Sequence, residues 1–435
     1  MQDFKINILS ICTNCAKDEF LKKYINEKGI YNQTCILCKK ENLMTVDFYW
    51  NKEIRTLVRA LVRIYFSEFE YSSFWGGVNN LPHLLYIENP ILTHIYNEND
   101  EFDWVELEEG YGCHRIDLLF ETIFEKNLFT DQHEGNEVSL FNGPSTLSGR
   151  ERANEGYSPF IKLTKDVSSL FTNYELRLQS ENHFILESEL IEKFLALSHF
   201  IENNRDFTKQ MSYFRARIGY NNHIAYQDSG IDFDVDFNDR VIKVPYMGAD
   251  ISCPPPPKAT AGRLNRVNVS YLYLSSDSET AISEIRPHPS NYVSIGEFSL
   301  LEDIRIADFR KINLLHFFKN DRLLDDYVLL SNIAAKFSIP ITPEEKEGYL
   351  FTQLITEVFR KIGFDGICFN SSISNNNGYN LVIFNPNKAE YKQGSSVLKR
   401  VEKVKFETVN EKFDSKFDYE NEEDYIVFKE GRWQT

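Results

Sequence analysis

Two groups of residues in this 435-residue chain have types and spacings that chemistry can use. The first lies in a strand–turn–helix passage. NVSYLYL (268–274) is β-branched and aromatic with polar flanks, which predicts a buried strand. SSDS (275–278) supplies helix-capping side chains, Glu279 suits a first turn, and ETAISEI reads as the helix. Tyr273 then sits at the strand end. Glu284 lies about two turns into the helix, on the face of Asp277. A ring and a carboxylate can so project into one cleft. Tyr273 alone would pass for a core tyrosine. Glu284 shares its helix with Ala281, Ile282 and Ile285, so its charge needs a purpose. Catalysis is one; a salt bridge to Arg286 is the other.

The second group is Cys12, Cys15, Cys35 and Cys38, two CxxC pairs separated by 19 residues. Each pair can place two thiolates on one tetrahedral ion, so the spacing predicts structural Zn²⁺. Four cysteine ligands leave no open position, which makes the site structural rather than catalytic. Cys113, Cys253 and Cys368 are isolated and read as small apolar side chains, with or without His114 beside the first. Arg177 with His183, and Arg217 with His223, both fit R-x₅-H, a spacing too common to carry catalysis.

These residues need elements to position them. The length exceeds one ordinary core of about 250–300 residues. The expected organisation is a zinc-binding unit at 1–50, a mainly helical domain at 51–205, an α+β domain at 206–400 and a charged tail at 401–435. Helical spacing marks Ile54, Leu57, Leu61, Ile64 and Tyr65, then residues 117–129 and 187–204. Residues 130–160, rich in Gly, Ser, Asn and Pro, predict a long loop with at most a short strand. The prolines at 254–257 predict a stiff extended connector. The tail predicts a strand and an acidic end. No internal repeat is present.

Composition narrows the class. The chain is 42% hydrophobic and 14% aromatic, enough for a large core. A net charge of -17 disfavours nucleic acid and anionic membranes as partners. No secretory signal or membrane span is evident, and close cysteine pairs suit a reducing compartment, so a cytoplasmic protein is expected.

The order of several motifs resembles the RES-domain family. YLSSDSETAISE resembles the family's tyrosine-to-glutamate core, and AGRLN its Gly-Arg-x-Asn turn. YFRARIG (213–219) resembles its first motif, and GFDGICFNSSISNNNGYNLVIFNP (363–386) its last. The cysteine-bearing, HEPN-like extension before some RES domains resembles the amino-terminal part. Asn265 followed by Arg266, and RPHP at 286–289, depart from the commoner pattern. RES domains are the toxins of RES–Xre toxin–antitoxin pairs, and their fold is similar to diphtheria-toxin-like ADP-ribosyltransferases.

The resemblance implies an α+β fold and a toxin or defence enzyme that breaks the nicotinamide–ribose bond of NAD⁺, as glycohydrolase or phosphorylase. It implies Glu284, Arg215 and Tyr273 as catalytic residues. Arg263, Ser371 or Ser372, and Asn380 would hold the dinucleotide. Partners to expect are NAD⁺, an antitoxin or regulatory protein, and a second copy of the chain. Two other functions compete: an ADP-ribosyltransferase that modifies a macromolecule, and an inactive RES fold that binds a partner.

Overall fold

The strands LYLS (272–275), GICFN (366–370) and YNLVI (379–383) are mostly buried, and they join one mixed sheet. The computed structural model describes residues 9–65, 91–92 and 169–405, apart from 42, 204, 226–239, 340–348 and 375–376. It also describes short hairpins pairing 104–106 with 112–114, 129–130 with 137–138, and 427–429 with 432–434. Apart from those strands, the expected helix at 117–129, the loop at 130–160 and the acidic tail beyond 405 lie outside the described residues. So do the side chains of Cys113 and His114.

In the amino-terminal unit, β1 (Ser10–Cys12), β2 (Ile30–Gln33) and β3 (Leu43–Asp47) form a sheet of order β1–β3–β2. Helix α1 (Glu19–Lys28) starts where Asp18 accepts bonds from the Phe20 and Leu21 amides, a carboxylate cap on the positive end of the helix. Helix α2 is Lys52–Tyr65. The unit's core continues into Leu314, Phe318 and Leu324 of the carboxy-terminal region. Phe20 meets Tyr327 edge-on, and Tyr24 meets Phe318 likewise.

Helices α3 (Ser169–Ser180) and α4 (His183–Ile201) lead into the main sheet. Its strands are β4 (Glu202–Asn203), β5 (Ser212–Ile218), β8 (Leu272–Ser275), β9 (Tyr292–Leu300), β10 (Ile306–Asp308), β11 (Gly366–Asn370), β12 (Tyr379–Ile383), β13 (Ala389–Tyr391) and β14 (Val397–Arg400). Between β5 and β8 a separate hairpin joins β6 (Asn221–Ala225) to β7 (Arg240–Val244). The sheet order is β13–β9–β5–β8–β12–β11–β10–β4, with β14 also paired to β9. All pairs are antiparallel except β10 with β11. The architecture is α+β.

Helices α6 (Asp321–Ser338) and α7 (Leu350–Lys361) pack with α3 and α4 on the sheet. Leu190 and Phe194 of α4 share a core with Ile355 and Phe359 of α7. Each such side chain contributes roughly 1.5–3 kcal/mol of burial. The α3–α4 hairpin therefore shares its core with the sheet. Among the described residues, no helix is long and apolar enough to cross a membrane.

Two expectations need correction. The strand expected at 268–274 begins only at Leu272, because Asn268 takes a left-handed φ of 65° and the Val269 amide turns back to Arg266 O. Asparagine tolerates that conformation, so the chain turns where β-branching predicted extension. The prolines at 254–257 are extended only at first; Pro256–Lys258 forms a 3₁₀ turn, whose φ proline also satisfies.

Candidate active site

The main sheet nearly divides between β5 and β8, which pair only at Phe214 and Ser275. A cleft of about 500 Å³ opens at that division. Arg215, Arg263, Tyr273, Glu284, Arg286, Tyr349, Phe369 and Asn380 line it with small and apolar neighbours.

Arg215 spans the division. Its Nη1 donates to Tyr273 O at 2.9 Å and its Nε to Ile251 O at 2.9 Å. The guanidinium takes up a carbonyl that the interrupted ladder would leave unpaired. Burial pushes its pKa down, yet no carboxylate forms an ion pair with it among the described residues. A half-buried cation with no carboxylate partner among the described residues can attract an anion.

The Tyr273 hydroxyl is engaged by the loop beside the cleft. It donates to Asn265 Oδ1 at 2.8 Å and accepts from the Leu264 amide at 3.2 Å. Burial pushes the phenol far above its ordinary pKa, so it stays protonated. The hydroxyl anchors the loop that carries Arg263, and the ring lines the cleft.

That loop is braced from three sides. Asn265 donates to the carbonyls of Thr260, Arg266 and Val269. Gln353 of α7 donates to Gly262 O and Asn265 O, and Thr352 to Arg263 O. A Cβ on Gly262 would come within 2.6 Å of Asn265 Oδ1, so the turn needs glycine. Arg263 donates from Nη1 to Phe337 O, near the end of α6, and lies over the Phe369 ring. It too forms no ion pair with a described carboxylate.

Glu284 closes α5 (Ser278–Glu284), whose start Asp277 caps by accepting from the Thr280 amide at 2.8 Å. The helix packs through Ala281, Ile282 and Ile285 against Ala216, Val293 and Ile295. Glu284 Oε1 accepts from Ser371 Oγ at 2.6 Å and from Asn380 Nδ2 at 2.7 Å. Oε2 carries no bond among the described residues. Asn380 Oδ1 in turn accepts from Ser275 Oγ at 2.9 Å. No ion pair joins Glu284 to Arg286, so the salt bridge weighed from sequence is absent.

The two adjacent serines separate cleanly. Ser371 meets Glu284, whereas Ser372 donates to Ser338 O at 2.6 Å on the exposed side. The loop reaches α5 because Gly378 has no side chain: a Cβ there would sit 1.9 Å from Thr280 Oγ1. Arg217 stands apart, bonded to Asp250 O and over the Tyr246 ring. Arg177 is engaged by Glu181 and Glu189, which gives the R-x₅-H spacing a structural origin.

Sequence reasoning missed Gln353, Thr352 and the role of Asn265. Gln353 and Thr352 sit, with Thr356, among apolar side chains on the buried side of α7, and a buried amide there was the available signal.

Outside the cleft lining, the Sγ atoms of Cys12, Cys15, Cys35 and Cys38 all lie within 4.8 Å of one another. Cys12 and Cys38 sulfurs are 3.7 Å apart, and a tetrahedron of zinc–thiolate bonds sets about 3.8 Å. The Cys12 amide donates to Cys35 Sγ at 3.3 Å, as it would to a thiolate ligand. Burial and the Cys35 sulfur push the Cys12 thiol up to about 11. The hydrogen bond to Cys35, with burial, pushes Cys15 higher still. Cys35, receiving that bond and several backbone amides, falls to about 5. No disulfide joins these four, and the cluster fits a zinc knuckle.

Residues 238–402 match the family model of the RES domain, a segment that takes in Arg263, Tyr273, Glu284, Ser371 and Asn380. No curated protein matches the chain. A solved structure with some likeness is the M. tuberculosis MbcT–MbcA toxin–antitoxin complex. It is 10% identical, covers 44% of this chain and 87% of that chain, and has a TM-score of 0.23.

Proposed function

We propose that this chain, which carries a RES domain, is an NAD⁺-cleaving toxin that breaks the nicotinamide–ribose bond. The observation that carries the proposal is Glu284: a carboxylate held through one oxygen by Ser371 and Asn380, on the wall of a cleft that also presents arginines with no carboxylate partner among the described residues.

Each part suits that substrate. As the ribose C1′–nitrogen bond lengthens, its electron pair leaves with nicotinamide and positive charge builds on the ribose. A fixed carboxylate stabilises that charge, and its free Oε2 can accept a ribose hydroxyl. Because Ser371 and Asn380 already orient Oε1, little reorganisation is needed as the charge develops. Arg215 and Arg263 supply cationic donors for the pyrophosphate. The rings of Tyr273, Tyr349 and Phe369 offer apolar faces to a planar base. Water or phosphate then attacks C1′ through oxygen; water gives up its proton to solvent.

The four cysteines would hold Zn²⁺, which when bound shapes the amino-terminal unit and takes no part in the cleft. Unregulated loss of NAD⁺ would harm the cell that makes the enzyme, so an antitoxin is the partner that goes with this function.

The test is product analysis with NAD⁺ in phosphate and in phosphate-free buffer. Free ADP-ribose identifies a glycohydrolase, and ADP-ribose 1″-phosphate a phosphorylase. No nicotinamide release in either buffer refutes the assignment.

A further inference from the structure

Arg286 lines the cleft two residues beyond Glu284, and no motif predicted a binding role for it. Its backbone is unusual. The residue has φ 44°, in the left-handed region, just after α5 ends. Its amide donates to Ser283 O at 3.1 Å, the bond that glycine commonly makes at a helix end. Glycine would take this conformation freely, whereas a residue with a Cβ pays for it. Pro287 follows, and proline further restricts the backbone of the residue before it. Arginine thus sits where local conformation argues against it, and such outliers cluster at ligand sites.

Its side chain explains the choice. Arg286 is exposed and forms no ion pair with a described carboxylate, including Glu284. The charged groups lining the cleft are Arg215, Arg263, Arg286 and Glu284, so it is locally positive in a chain of net charge -17. Arg215 is half-buried and bonded to Ile251 O and Tyr273 O across the sheet division, and Arg263 is bonded to Phe337 O. Of the three, Arg286 is the exposed arginine, just beyond the end of the helix that presents Glu284.

We infer that Arg286 is a phosphate-binding residue of this cleft, held there by a strained helix-terminal backbone. Bidentate N–H donors suit phosphate oxygens. The phosphate has two sources: the pyrophosphate of the dinucleotide, or a free phosphate that acts as acceptor beside Glu284. The inference deepens the NAD⁺-cleavage proposal and rests on it for the identity of the dinucleotide.

The test compares the full-length chain with Arg286→Gly and Arg286→Lys. Glycine relieves the backbone, so Arg286→Gly is expected to melt at the same or a higher temperature than wild type. Binding should nevertheless weaken. If the dinucleotide is the source, KM for NAD⁺ rises about tenfold, the loss expected for one charge-assisted contact. If free phosphate is the source, KM for NAD⁺ holds and half-saturation by inorganic phosphate rises about tenfold. Arg286→Lys should retain part of either. An Arg286→Gly enzyme with both constants unchanged overturns the inference. If wild type releases no nicotinamide, the NAD⁺ proposal fails instead. Calorimetric titration with inorganic pyrophosphate then decides for Arg286: binding weakened in Arg286→Gly supports it, and equal binding refutes it.

Discussion

Asn380 donates its side-chain amide to Glu284 Oε1 across 2.7 Å, joining the central strand β12 to the last residue of α5. Asn380 is buried and receives Ser275 Oγ on its other end, so it cannot turn away without breaking two bonds. Asn380→Ala should therefore leave Glu284 present but poorly aimed. We expect kcat to fall about tenfold to a hundredfold, the range for lost positioning, with a smaller change in KM. Steady-state kinetics with NAD⁺ checks this, and a change confined to KM would show that Asn380 serves binding alone.

The adjacent serines make a second comparison. Ser371 bonds Glu284, whereas Ser372 bonds Ser338 O on the surface. Ser371→Ala should cost about tenfold or more in kcat, and Ser372→Ala little. Equal losses, or the reverse order, would contradict the geometry.

Gln353 offers a test of the loop that carries Arg263. Its amide serves two carbonyls, Gly262 O and Asn265 O. Gln353→Leu keeps the volume and removes both bonds; Asn265 O still accepts from the Gly262 amide, so the cost falls on Gly262 O, about 1–3 kcal/mol for a buried acceptor. Melting temperature should drop, and KM should rise because Arg263 is no longer fixed. A destabilised variant with wild-type KM would show that the brace is not needed for substrate.

Acid should loosen α5 through its cap. Burial works to raise the Asp277 pKa, but hydrogen bonds from Thr280 and Ser276 hold it below the ordinary value. A depressed folded pKa adds stability above the unfolded value, which is lost as pH falls through the folded one. The loss should begin near pH 4 and grow below it. Asp277→Asn still caps a helix but does not titrate there, so its stability should change less across that window. Denaturant titrations of both proteins at pH 3 and pH 6 check the difference.

Zinc should stabilise the amino-terminal unit rather than the chemistry. Metal analysis should find one zinc per chain. Chelation should lower the melting temperature and expose residues 9–48 to hydrogen exchange. The start of α6 should loosen with them, since Leu324 shares their core and Tyr327 meets Phe20. Freshly purified protein without zinc, or exchange unchanged by chelation, would contradict the assignment.

Much of this site was legible in the sequence because its chemistry is local. Asp277, Glu284 and Tyr273 fall within one strand–turn–helix passage, where capping and periodicity place side chains directly. The four cysteines announce themselves by spacing. What the sequence hides is contact between distant segments. Nothing near Ser371 says that it, and not Ser372, meets Glu284; that follows from Gly378 letting the loop close on Thr280. Gln353 braces a turn some ninety residues earlier in the chain. Arg286 looked like a salt-bridge partner because it is a neighbour of Glu284 in sequence, but the left-handed backbone separates their roles. Asn268 ended the predicted strand early for the same kind of reason, a single φ that composition does not display.

The central claim is that Glu284 stabilises the ribose as nicotinamide leaves, and one substitution addresses it. Glu284→Gln keeps the shape and can still accept from Ser371 and Asn380, but it removes the negative charge. Nicotinamide release from NAD⁺, followed in wild type and Glu284→Gln of equal thermal stability, should fall by a factor of about a hundred or more in the variant, the scale of a lost electrostatic contact in the transition state. A Glu284→Gln protein that releases nicotinamide at the wild-type rate would contradict the account.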